Sequence, residues 1–343
     1  MSIQIQGLAF NEIQKKMKNY KINHQSNHFI ALLLSILIIT NLCSCGGGDT
    51  KNYTETSGQI TISGAFALYP LTVKWADEYK KLYPNVRIDI SAGGAGKGMT
   101  DALSGMIDLG MFSREITQAE LDKGVWWVAV AKDAVLPVVN SGNKNLKAIL
   151  EQGLSKEEFM GIFISQKIKF WGEALANSNK EKITVFTRSD ACGAAEMWAK
   201  YLGQNQENLE GVGVFGDPGM SDAVKKDVNA IGYNNAIYVF DYQTRKLSQG
   251  IQVVPLDING NNKIDPDEQF YDNLDSLSAA IKSMRFPSPP ARNLYFVAKG
   301  KPLSKTTLAF INWILKDGQK YIHEAGYIEL SDSLLVSGKQ KVQ

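Results

Sequence analysis

Strand-like and helix-like segments alternate along most of this chain, which predicts an α/β architecture with largely parallel sheets. Two further observations fit two lobes joined by a hinge, an arrangement that a resemblance described below implies. About 285 residues remain beyond the amino-terminal leader and its tether, enough for two domains. A run from Val128 to Val139 reads as a strand passing between lobes, with Lys132 and Asp133 near the crossing, and Pro287-Ser288-Pro289-Pro290 followed by Arg292 to Val297 reads as the return. The expected boundaries are 59–131 plus 286–343 for the first lobe and 132–285 for the second.

The amino terminus reads as an export leader. Lys15, Lys16, Lys18 and Lys21 precede an uncharged stretch from Phe29 to Leu42, after which comes Cys43-Ser44-Cys45-Gly46-Gly47-Gly48. A run of about 14 residues is too short to span a bilayer as a helix, which takes about 20. Residues 1–45 are therefore expected to be a lipoprotein signal peptide, cleaved before Cys45. Lipidation of Cys45 with two or more chains, at ~0.8 kcal/mol per buried CH₂, would make a stable membrane anchor on an exported protein. Cys43 fits less well, because Asn41 and Leu42 precede it instead of small residues. A start at Met17 would shorten the leader without altering the mature chain.

Residues 46–58 are rich in Gly, Ser, Thr, Asn and Lys and read as a flexible tether. The whole chain carries 37 basic and 35 acidic residues, and the leader removes four lysines against Glu12, so what remains is nearly neutral. Nothing in that balance points to nucleic acid. Of the three cysteines only Cys192 lies beyond the leader and anchor, so the folded part has no disulfide framework and depends on packed cores.

The globular part opens with Gln59 to Ser63, isoleucines in alternate positions, and then Gly64-Ala65-Phe66-Ala67-Leu68-Tyr69-Pro70. Pro70 suits the first helical position, and Leu71, Trp75, Tyr79 and Leu82 share one helix face. Val86 to Ile90 forms a second strand, followed by Ser91-Ala92-Gly93-Gly94-Ala95-Gly96-Lys97-Gly98 and a short helix to Ser104. Ile183 to Phe186 is strand-like and leads through Thr187-Arg188-Ser189-Asp190-Ala191-Cys192-Gly193-Ala194 into a helix carrying Met197, Trp198, Tyr201 and Leu202. An arginine beside a small-residue turn that opens a helix makes an oxyanion trap. The guanidinium supplies a fork of donors, and the first N–H groups of the helix add theirs with the positive end of its dipole. The plainer alternative is an ordinary turn whose Arg188 pairs with Asp190. Three such turns, at 64–70, 93–98 and 188–194, are expected to converge at the carboxyl ends of strands, where α/β sheets bind ligands.

Ile62-Ser63-Gly64-Ala65 with Tyr69-Pro70 and Trp75, the glycines at 93, 96 and 98, Ile107 through Glu115, Ile162-Phe163 with Trp171, and Arg188-Ser189-Asp190 with Gly193 resemble the PstS family, the phosphate-binding lipoproteins of phosphate ABC transporters. Ala230-Ile231-Gly232-Tyr233, Pro289-Pro290-Ala291-Arg292 and Phe310 through Ile314 follow in the same order, so the resemblance spans roughly 59–335. It implies a two-lobed periplasmic binding protein that closes over phosphate and passes it to a membrane permease, as a monomer and without a cofactor for binding. Carried over by position, the anion would meet Leu68, Tyr69, Ala95, Gly96, Ser113, Arg188, Cys192, Gly193 and Ala194, with Arg114 beside Ser113 and Asp190 holding the guanidinium.

Four positions depart from the family, with Leu68 and Ala194 in place of threonine and Ala95 and Cys192 in place of serine. Hydrogen bonds to a charged group contribute about 1.5–3 kcal/mol each, and micromolar binding totals only about −8 kcal/mol. Backbone donors survive any side-chain change, so an oxyanion is still expected, phosphate first, with sulfate, molybdate, tungstate and arsenate open. The missing hydroxyls also motivate a second reading, a lipid-anchored sensor or scaffold with the cleft plugged by Leu68 or Phe66. Cys192 raises a third, a phosphatase whose thiolate would be favoured by Arg188 and the helix start. The mature chain has one histidine, His323, in a late helix, and Asp190 could serve as base only if free of Arg188, so an enzyme is not the expectation.

Asp257-Ile258-Asn259-Gly260-Asn261-Asn262-Lys263-Ile264-Asp265-Pro266-Asp267-Glu268 has the spacing of an EF-hand calcium loop. Asp257, Asn259, Asn261, Asp265 and Glu268 fall on the oxygen-ligand positions, and Lys263 on the position that uses its backbone carbonyl. Asn262 stands where glycine usually makes the turn, and asparagine tolerates a left-handed backbone well. Ile251 to Leu256 before the loop looks like a strand, and Gln269 to Ile281 after it like a helix. The alternative is an Asn/Gly-rich surface turn. Trp126 and Trp127 are expected to be core, and the 216–221 turn to open a helix facing the cleft.

Overall fold

The computed structural model describes residues 56–343. The expected signal peptide, Cys45 and nearly all of the expected tether lie outside the described residues. Among the described residues no helix is long and apolar enough to cross a membrane.

The strands are β1 (Gly58–Gly64), β2 (Val86–Ala92), β3 (Leu109–Phe112), β4 (Val125–Asn140), β5 (Leu154–Ser155), β6 (Thr184–Arg188), β7 (Val212–Val214), β8 (Ala230–Asn235), β9 (Ile251–Val253), β10 (Leu256–Asp257) and β11 (Ala291–Lys299). Nine of them form one sheet in the order β2-β1-β3-β11-β4-β8-β6-β7, with β9 on β4. Each end of this sheet is parallel, β1 with β2 and β3, and β6 with β7 and β8. Its middle is antiparallel, because β11 runs back against both β3 and β4, and β4 runs against β8 and β9. The expectation of a largely parallel sheet therefore holds only for the flanks: a chain that passes from one lobe to the other and returns lays its crossing strands head to tail.

Buried apolar side chains fall into two clusters. The first contains Trp75, Tyr79, Phe296, Phe310 and Ile311; the second contains Phe159, Phe163, Trp198, Tyr233 and Leu274. β4 feeds both, Ala131 belonging to the first and Ala134 to the second, and β11 does the same with Leu294 and Ala291. In the second core Trp198 packs edge-on to Phe159 and Phe163, at 5.0 and 5.6 Å, and stacks on Tyr233 at 6.1 Å. Trp126 and Trp127 are half-buried against the first core, where Trp127 meets the Tyr295 ring edge-on at 5.6 Å.

Local signals behave as their chemistry dictates. Helix Tyr69–Leu82 starts with Pro70 in its first turn and buries Leu71, Trp75 and Tyr79. Leu82, expected on that face, is exposed at the last residue of the helix. Ser155 and Thr117 close capping boxes with Glu158 and Glu120. The helix expected from Gln269 begins only at Leu274, because Asn273 accepts the Ser276 N–H at 2.9 Å and caps it there.

Candidate functional site

Three turns meet between the two cores. The Gly64 carbonyl accepts the N–H groups of Gly93 and Gly94 at 2.9 and 3.1 Å, which joins the first turn to the second. Gly96 donates across the cleft to the carbonyl of Ala191 at 3.1 Å, which joins the second to the third. Gly193 sits so close to Ser113 that a Cβ there would stand 2.2 Å from the Ser113 carbonyl oxygen and 2.3 Å from its hydroxyl, so only glycine permits this approach.

Arg188 ends β6 inside this junction with its side chain fully buried. Its Nε and Nη2 donate to the two carboxylate oxygens of Asp190 at 2.8 and 2.7 Å, the bidentate geometry a guanidinium favours. Its Nη1 donates to Asp217 at 2.9 Å. The Tyr233 hydroxyl accepts the Arg188 N–H at 3.1 Å and shares a hydrogen bond with Thr187, so the second core holds the backbone of the site directly. The Phe66 ring covers the guanidinium with its centroid 5.9 Å from Cζ, and Phe215 meets Phe66 edge-on at 5.8 Å. Phe66 is further held through its carbonyl by the Tyr238 hydroxyl at 3.2 Å.

Helices starting at Ala95 and Gly193 direct their first turns toward the junction, and the first N–H groups of any helix lack intrahelical acceptors. Ala95, Ser113, Cys192, Gly193 and Ala194 are all buried there. Leu68, Tyr69 and Gly96 behave differently from expectation. The N–H groups of Leu68 and Tyr69 donate to the carbonyls of Ala65 and Phe66 at 3.1 and 3.2 Å, and the Leu68 side chain is wholly buried in the first core. The Gly96 N–H is given to Ala191. Arg114 is also placed otherwise: its guanidinium lies over the Phe112 ring at 4.5 Å and pairs with both carboxylate oxygens of Glu120, at 3.0 and 2.7 Å. A nearby carboxylate with a complete fork to offer has taken it.

Cys192 is the N-cap of helix Gly193–Tyr201, its sulfur accepting the Ala195 N–H at 3.4 Å. Burial pushes its thiol up to about 12, against the pull of Arg188. The lowered pKa that a phosphatase would need is thus reversed, because desolvation disfavours the thiolate more than one already paired guanidinium favours it. Asp190 is bound to Arg188 and so is not free to act as base.

Sequence reasoning missed the groups behind Arg188. Asp217, in the first turn of helix Gly216–Lys226, accepts from Asn235 on its second oxygen, and its carbonyl accepts from Asn234 at 3.0 Å. The Asn235 amide oxygen accepts from Arg292, and Arg292 contacts Asp133 at 3.4 Å. Burial raises the Asp133 carboxyl to about 6, partly opposed by Arg292, and burial likewise lowers Arg292. The available signals were Asp217 at a helix start and Arg292 within a motif of the resemblance. Neither indicates which distant residue it meets.

The 257–268 loop folds around its own oxygens. Asp257 accepts N–H groups from Gly260, Asn261 and Asn262 at 2.8, 3.2 and 2.7 Å, and Glu268 accepts those of Ile258 and Asp265 at 2.8 and 3.0 Å. The amide nitrogens of Asn259 and Asn261 both reach Asp265, at 3.0 and 2.8 Å. Asn262 takes the left-handed conformation, φ 60°, that its position requires. Lys263 points its ammonium to Asp265 at 3.5 Å. The loop lacks both flanking helices of an EF-hand, with β10 before it and the helix starting only at Leu274 after it.

Residues 50–317 match the family model described as the PBP superfamily domain. The phosphate-binding protein PstS of Bacillus subtilis is 28% identical over 65% of this chain and 75% of its own length. The phosphate-binding protein PstS of Methanocaldococcus jannaschii is 24% identical over 91% of this chain and 95% of its own. Among solved structures, a candidate phosphate ABC transporter substrate-binding protein from Clostridium perfringens, with bound phosphate, aligns at a TM-score of 0.65 and 22% identity, covering 80% of this chain and 100% of that one. This last likeness is one of fold.

Proposed function

The chain belongs to the PBP superfamily, and on that premise we propose that it is an extracytoplasmic solute-binding protein that captures phosphate between its lobes and delivers it to an ABC permease. The curated relatives are named for phosphate binding. The observation that carries the reading is the buried Arg188 where the three turns meet, with two helix starts aimed at the same junction. Two carboxylates already balance that guanidinium, so capture rests on directed hydrogen-bond donors more than on net positive charge. A ligand bridging both lobes favours the closed state in proportion to its extra contacts there.

Calorimetry of the full protein with phosphate, arsenate, sulfate and molybdate tests this. Phosphate is expected to bind, and Arg188→Ala to weaken it at least ~30-fold, since truncating one partner of a buried charge pair costs about 2–5 kcal/mol. Arg188→Lys should recover part of the loss, keeping charge without the fork. Heat with sulfate or molybdate alone would reassign the ligand, and no heat with any of the four would remove the reading.

We also infer that the 257–268 loop takes calcium and so braces the second lobe, supported by its oxygen spacing and the left-handed Asn262. Calcium is expected to raise the melting temperature of the wild type and not of Glu268→Gln, read by thermal unfolding with and without chelator. Equal shifts in both proteins, or none in either, would reject it.

A further inference from the structure

Arg188 is gripped by carboxylates of its own lobe, and a line of hydrogen bonds leads from one of them toward the other lobe. Asp217 grips it on one carboxylate oxygen at 2.9 Å and receives the Asn235 amide N–H on the other. Asn235 in turn accepts from Arg292 through its amide oxygen. Those two bonds fix the orientation of the Asn235 amide, because only its nitrogen can donate and only its oxygen can accept. Arg292 and Asp133 are cross-strand partners on β11 and β4. They sit at the seam between the cores: Ala131 and Leu294 on one side belong to the first, Ala134 and Ala291 on the other to the second. The line Arg188–Asp217–Asn235–Arg292–Asp133 therefore runs from the oxyanion junction to the place where both crossing strands must flex if the lobes part.

Its middle member has no substitute. Arg292 is buried, and its Nε and Nη1 have no hydrogen-bond partner among the described residues, so Asn235 and Asp133 hold it by themselves. Such a guanidinium cannot drop one of them without leaving a buried charge poorly satisfied. Any bend at the seam that separates Arg292 from Asp133 must be taken up at Asn235, and through it at Asp217 and Arg188.

We propose that Asn235 is a positioning residue that ties the oxyanion junction to the hinge, so that the Arg188–Asp217 pair and the lobe-crossing strands shift as one hydrogen-bonded unit. This deepens the proposed phosphate capture and rests on it for the identity of the ligand, but the tie itself is a property of the protein without ligand.

The Gly96 N–H, bonded to Ala191 across the cleft, reports opening directly. Its hydrogen exchange would be compared at one pH in ligand-free wild type, Asn235→Leu, Asp133→Asn and the double variant, with Asn235→Ser as a milder alternative should the leucine not fold. Asn235→Leu is expected to speed Gly96 exchange ~10-fold, and Asp133→Asn to add little in that background, as for residues in one network. The Leu202 N–H, bonded to Trp198 within the second core, is expected to keep its wild-type rate, which a merely structural loss would not spare. Phosphate affinity should fall by a similar ~10-fold in Asn235→Leu. Additive effects of the two substitutions, unchanged Gly96 exchange, or equal acceleration at Leu202 would overturn the proposal. A wild type that binds no phosphate would refute the proposed function while leaving the exchange result to decide the tie.

Discussion

Cys192 performs a serine's task with a weaker acceptor. Its sulfur caps the Gly193 helix at 3.4 Å, and its thiol stays protonated. Cys192→Ser is expected to strengthen the cap by ~1 kcal/mol. It would also restore a hydroxyl beside the junction, tightening phosphate ~10-fold if that hydroxyl reaches the charged ligand. Thermal unfolding and calorimetry read the two effects separately. A lower melting temperature with unchanged affinity would mean that the sulfur is there for its volume. At this scale the chain was legible where partners are near in sequence. Arg188 and Asp190, two residues apart at a strand end, pair as expected. The pairing of Arg114 with Glu120, six residues on in the first turn of a capped helix, carries no such short-range signal.

The crossing strands set the behaviour of the elements. Burial holds the Asp133 carboxyl near 6, above its unfolded value of about 3.9. Between those values the folded chain keeps a proton that the unfolded chain releases. The stability this gives is complete below about pH 4 and is lost as pH rises through about 6. Asp133→Asn should remove that slope, so that wild type minus variant changes by up to ~3 kcal/mol between pH 4 and pH 7 in denaturant titrations. A parallel pair of pH profiles would show that Asp133 is ionised throughout. Elements were legible wherever alternation or a proline marked them, as in β1 and the Tyr69 helix. They blurred where helical periodicity ran through a capping residue, as at Asn273, and where strand direction depended on a partner more than a hundred residues away, as for β4 and β11.

For the whole molecule, closure depends on contacts with no room to spare. Gly193 and Ser113 meet so tightly that Gly193→Ala must hold the lobes apart, although alanine suits a helix start better than glycine does. Steric strain of about 1–3 kcal/mol predicts a loss of phosphate affinity of ~10- to 100-fold. Small-angle scattering should then show no compaction when phosphate is added, whereas wild-type affinity and compaction would place closure elsewhere. Length allowed for two cores, and the runs at Val128–Val139 and 287–297 marked the two crossings. The line from Arg188 to Asp133 could not be, because its members come from five separate segments and only the fold brings them together.

That topology also orders assembly during synthesis. The first half of β4 has β11 as its strand partner in the sheet, and the paired residues Asp133 and Arg292 are 159 positions apart. The second core is made from one nearly uninterrupted stretch, whereas the first cannot complete its sheet until residue 299 has left the ribosome. A growing chain therefore carries an unfinished edge along β4 for nearly half of its translation, and the part made first is the last to be sealed.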